Sequence, residues 1–216
     1  MDLTLGISTS NLQFEIILGE NSTILFNSKS DASLNDNRDI YVLVTRSLES
    51  VNRSANEIKK IIVDIGPGGT SVVRTGVAFA NGLAYSLEVP VYPVPSMELI
   101  GIECWEKYQK PVICTIRSIK NTAYVGLYND KLVTIKYGPL EEVVKEVASG
   151  IDDFIVAGHH RDRIIELFPD KIITDSKIQS CDASLLIEKS DLFLDRAVYT
   201  PNYVTPITEQ TINLYE

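Results

Sequence analysis

Four residues, Gly66-Pro67-Gly68-Gly69, stand directly ahead of a helix-patterned run that extends to Leu87. Glycines in that place expose backbone N–H groups, and the positive end of a helix dipole behind them can hold a phosphate. The run fails the P-loop template, since no Gly-Lys-Ser/Thr follows, and it fails the dinucleotide template, since Ser71 stands at the third glycine. The favoured reading is mechanical: the glycines relieve clashes at a sharp strand-to-helix turn, Pro67 fixes one dihedral angle, and the loop aims the helix. Thr70, Ser71 and the bare N–H groups keep an anion site as the alternative.

Other reactive side chains point to little chemistry. The two histidines, His159 and His160, are adjacent and cannot share one helix face as the paired histidines of a zinc protease must, so they read as a polar turn and no metal is expected. Cys104, Cys114 and Cys181 lie far apart without C-x-x-C spacing and read as reduced, buried thiols. No G-x-S-x-G elbow is present. The 29 acids outnumber the 20 Lys and Arg, and the net charge of -9 repels polyphosphates, which counts against a free-standing nucleic-acid binder. The opening MDLTLGISTS lacks signal-peptide character, and no apolar run approaches a membrane span, so a soluble cytoplasmic chain without membrane contact is expected.

The elements that must carry these residues follow from periodicity. Leu3, Leu5 and Ile7 alternate with polar residues as in a half-buried strand; Leu12 to Leu18 and Thr23 to Asn27 complete a meander around Gly19-Glu20-Asn21-Ser22. Ile40 to Val51 has helical spacing with Asn37 or Asp39 as cap, Ile61 to Ile65 is a short apolar strand, the loop and its helix follow, and Val89 to Val94 is another strand. After a helix from Met97 to about Lys107, the same order begins again: strands at Val112, Ala123 and Leu132, a helix at Leu140, a strand at Phe154, a helix at Ile164 and a strand at Lys171. The expected organisation is an N-terminal lobe over 1–103, a C-terminal lobe over 104–190, and a segment over 191–216 that returns to the first lobe.

A duplicated βββαβαβ order resembles the actin-like ATPase and sugar-kinase architecture (ASKHA, RNase H-like). In those enzymes each half places a carboxylate at the turn between its first two strands to position magnesium. Here those positions are Ser8 and Arg117, so the charged magnesium ligands are absent, and nothing in the spacing of Asp2, Asp64 or Asp130 makes one of them a substitute. No cofactor is expected.

The helix after the loop is unusually apolar. At roughly 100° per residue, Val72, Val73, Gly76, Val77, Phe79, Ala80, Leu83, Ala84 and Leu87 fall on one arc of about 160°. Gly76, Ala80 and Ala84 recur every fourth residue, which lets another helix settle close. The arc fits the chain's own core alone, or that core together with a partner helix.

The stretch Gly66-Pro67-Gly68, then Arg74 and Gly76, Gly82-Leu83-Ala84 and Val89-Pro90-Val91, resembles the signature and downstream helix of the TsaB (YeaZ) family. Leu5-Gly6-Ile7-Ser8-Thr9-Ser10 resembles that family's L-A-I-D-T-S opening, Pro201-Asn202-Tyr203-Val204 its P-x-Y-L-R tail, and Tyr124 sits where its second lobe keeps a tyrosine. Departures are Ser8 for its Asp, Gly69-Thr70-Ser71-Val72 for its Ser-Phe-Thr-Gly, and Arg117-Ser118-Ile119 for its Asp-Ala-Arg. The resemblance implies an actin-like fold and a non-catalytic subunit in tRNA threonylcarbamoyladenosine (t6A) synthesis. It implies docking to a TsaD-like protein that holds the metal and active site, a TsaE-like ATPase in the assembled complex, self-association as a homodimer, and tRNA met only through the complex. The expected contact residues are Leu43, Leu48, Val73, Gly76, Val77, Ala80 and Ala84. A nucleotide-dependent ATPase or kinase of the same fold is the competing reading.

Overall fold

A computed structural model describes residues 2–11, 13–34 and 36–214. Two compact units emerge from its contacts: Met1–Pro95 with Ala183–Pro206, and Ser96–Asp182 with Ile207–Glu216. The expected boundary at 103 would cut a helix that packs on the second unit's sheet. The segment returning to the first unit runs from Ala183 to Pro206, and the chain after it belongs to the second.

In the first unit, β1 (Leu3–Ser8), β2 (Glu15–Glu20), β3 (Thr23–Asn27), β4 (Ile58–Asp64) and β5 (Val91–Val94) form one sheet in the order β3-β2-β1-β4-β5. β1 pairs antiparallel with β2 and parallel with β4, and Ile7 lies opposite Val63. Its six residues are all buried, because it is the central strand and covered on both faces; alternation had pointed to a half-buried strand. The crossovers carry α1 (Ile40–Ser50) and α2 (Thr70–Leu87), which right-handedness puts on one face. Asp39 caps α1 by accepting from the Val42 N–H at 3.2 Å. The returning segment contributes α6 (Leu185–Glu188), whose Ile187 joins Ala183 and Ile17 in a small cluster, and an edge bridge in which the Val198 N–H donates to Val91 O at 2.8 Å.

The second unit repeats this order. It begins with α3 (Ser96–Tyr108), whose Trp105 meets Tyr128 edge to face at 6.2 Å. Its sheet, from β6 (Val112–Arg117), β7 (Thr122–Tyr128), β8 (Leu132–Pro139), β9 (Asp153–Gly158) and β10 (Ile172–Asp175), has the order β10-β9-β6-β7-β8. Read backwards, that is the first sheet's order with the same parallel and antiparallel pairs. Helices α4 (Leu140–Val147) and α5 (Arg161–Leu167) complete a core built on Ile113, Val125, Val144, Phe154 and Ile164. The duplicated lobes are those of the actin-like fold.

Gly158 shows how closely the strands of this unit approach. Its φ is +91°, and a Cβ there would lie 1.9 Å from Thr115 O. Gly158→Ala is expected to destabilise the chain by more than about 3 kcal/mol in urea unfolding. Gly150→Ala, at φ +75° but with nothing within 4 Å, should cost about 1 kcal/mol. Equal losses would show that backbone conformation alone, and not the approach to Thr115, requires the glycine.

Candidate functional site

The glycine loop is organised around a buried acid. Asp64, the last residue of β4, has 0% exposure. Its Oδ1 accepts the Gly66 N–H at 2.9 Å, and its Oδ2 accepts Ser8 Oγ at 2.8 Å and also Ser10 Oγ. Parallel pairing of β1 with β4 brings Ser8 and Asp64 together across 56 residues of sequence, which no local spacing reveals. Position 8 itself carries a hydroxyl, and the carboxylate it meets is Asp64 of the neighbouring strand, with donors on both of its oxygens.

Between the two serines, Thr9 turns the other way and donates through Oγ1 to Val72 O, in the first turn of α2, at 2.9 Å. It fills the space that Gly76 leaves, since a Cβ on Gly76 would lie 2.4 Å from Thr9 Oγ1. The β1–β2 turn, the loop and the start of α2 are thus held as one piece. The first glycine N–H of the loop is already used by the chain's own carboxylate.

The expected contact residues lie inside. Leu43, Leu48, Val73, Gly76, Val77, Ala80 and Ala84 are all buried, so they pack this unit's core and are not a docking surface. The physical reason is that small residues on a helix admit a sheet, or Thr9, as readily as another helix. The wide arc divides: Val73, Gly76, Val77, Ala80 and Ala84 sink toward the sheet, whereas Val72, Phe79 and Leu83, along one edge, and Leu87, at the end of the helix, are half-buried. Beside that edge the exposed residues Ser71, Thr75, Ala78, Gly82 and Ser86 form a stripe of short side chains, and Tyr85 is 71% exposed. Near the end of α2, the Asn81 amide grips Val204 twice, donating to its O and accepting from its N–H, each at 2.9 Å. Pro201 and Tyr203 of the resembling tail thereby line a recess of about 100 Å³ with Tyr85.

The second unit offers different chemistry at the matching place. Arg117 is exposed at the end of β6, and Thr115 accepts the His159 N–H on its carbonyl and the His160 N–H on Oγ1, at 2.9 and 3.0 Å. Burial, with Arg117 adding to it, holds both imidazoles below the usual histidine range. Among the described residues no group of three His, Cys, Asp or Glu is placed to hold a metal. Cys104, Cys114 and Cys181 are buried thiols not joined in disulfides; burial pushes Cys104 up to about 11 and Cys114 higher than an ordinary thiol, which disfavours the nucleophilic thiolate. No helix among the described residues is long and apolar enough to cross a membrane.

Comparison with known proteins adds to this geometry. The TsaD family model, described as tRNA N6-adenosine threonylcarbamoyltransferase, matches residues 28–206. The tRNA threonylcarbamoyladenosine biosynthesis protein TsaB of Bacillus subtilis is 27% identical over 74% of this chain and 67% of its own length. A tRNA N6-adenosine threonylcarbamoyltransferase of Pelodictyon phaeoclathratiforme is 34% identical over 31% of this chain, and the match spans 19% of that protein. The solved structure of YeaZ from Pseudomonas aeruginosa superposes with a TM-score of 0.73 at 18% identity, covering 96% of this chain and 100% of that one, which establishes a shared fold. The chain belongs to the TsaD family of that model, and TsaB (YeaZ) proteins are among its relatives.

Proposed function

We propose that this chain is a non-catalytic subunit of cytoplasmic t6A synthesis and docks a TsaD-like protein through the outer face of α2. The observation that carries the reading is the exposed stripe Ser71, Thr75, Ala78, Gly82 and Ser86 beside half-buried Val72, Phe79 and Leu83. Short side chains let a partner helix approach closely, and the half-buried edge supplies the apolar area such a contact needs. The relatives' names supply the partner's class. A second copy of the chain fits the same stripe, so a homodimer would compete with the TsaD-like partner. A TsaE-like ATPase and tRNA would join at the level of the complex, in keeping with a net charge of -9 on this subunit.

Calorimetric titration of the chain with the TsaD-like protein of the same cell tests this reading. Saturable binding near one to one, together with no heat from magnesium and ATP in the absence of the partner, is expected. Tight binding of magnesium and ATP by the chain alone would favour the ATPase or kinase reading instead. The complete burial of Asp64 together with the donors on both its oxygens weighs against that outcome, because a metal would have to open this closed contact to reach the carboxylate.

A further inference from the structure

A carboxylate shut off from water needs donors to replace its hydration. Donors that meet Asp64 include groups from two segments far apart in sequence: Ser8 and Ser10 from the β1–β2 turn, and the Gly66 N–H from the glycine loop. Helix α2 starts at this junction without a side-chain cap, since its N-cap is Gly69. Three glycines in four residues give the loop little stiffness of its own. The start of the helix is therefore defined from outside, by Asp64 on one side of the Ser8-Thr9-Ser10 turn and by the Thr9 bond to Val72 O on the other.

We infer that Asp64 is a positioning residue: by clamping the β1–β2 turn to the glycine loop it fixes where α2 begins and so which outer side chains the helix presents. The consequence for a partner rests on the docking role proposed above; the effect on α2 does not. Because Ser8 and Asp64 face each other from paired strands, exchanging the two returns one hydroxyl and one carboxylate to the same contact. Ser8→Asp alone would press two buried carboxylates together. Asp64→Ser alone would leave Ser10 and the Gly66 N–H without their acceptor.

The test measures amide hydrogen exchange of the full chain, together with its affinity for the TsaD-like protein, at a temperature where circular dichroism of every variant matches the wild type. Asp64→Asn, which keeps the shape and loses the charge, is expected to speed exchange at residues 70–76 about tenfold relative to the strands, and to weaken partner binding. The Ser8→Asp/Asp64→Ser exchange should bring the helix start back to within about threefold of the wild type, so that its effect falls well short of the sum of the singles. Unchanged exchange in Asp64→Asn, or a rise spread equally over β1 and β4, would overturn the inference and leave Asp64 an ordinary core acid. If exchange responds as expected but the wild type itself binds no TsaD-like protein, the positioning role stands and the docking reading fails.

Discussion

Ala80→Arg is expected to unfold the first unit and not merely to detach a partner. Ala80 is 0% exposed, and Val73 and Val77 on the same side of α2 are equally enclosed, so a guanidinium there has neither water nor a partner acid. An unpaired buried charge and overpacking act together, at a cost of more than about 4 kcal/mol, which is a large part of a typical domain's stability. Circular dichroism should show lost helix and strand signal at temperatures where the wild type is folded. A folded Ala80→Arg variant that has lost a partner would instead return the inner arc to the interface.

Gly82→Arg should behave in the opposite way. Gly82 is exposed, and a Cβ there meets nothing within 4 Å. Arginine is the better helix former, so the variant should be more stable by about 0.7 kcal/mol, with a slightly raised Tm. On the docking reading its long side chain stands in the middle of the short-side-chain stripe and blocks close helix approach. Affinity for the TsaD-like protein should fall at least about a hundredfold. Gain of stability with loss of binding separates a surface role from a core role, which a destabilising variant cannot do.

Much of the fold was legible because long periodic segments declare themselves. The helix whose apolar arc runs from Val72 to Leu87, the strands at Val112 and Ala123, and the repeated order all follow from spacing, and the structure has them as Thr70–Leu87, Val112–Arg117 and Thr122–Tyr128. Helix α6, four residues long, and the 3-10 turn Ser190–Arg196 are too short to set a period. The strand around Leu12 was expected to begin there; β2 starts at Glu15, and Leu12 lies outside the described residues. The candidate site was harder to read for two reasons. A pattern of small residues says that something approaches closely without saying what, and at Gly76 the visitor is Thr9 of the same chain. The contact between Ser8 and Asp64 depends on strand register, so its two halves looked like a missing acid and an unrelated one.

Size-exclusion chromatography of the chain mixed with the TsaD-like protein from the same cell, run side by side with Gly82→Arg, addresses the docking claim most directly. The wild type should elute with the partner as one species and the variant as two. Separate elution of the wild type, or undiminished co-elution of Gly82→Arg, would contradict it.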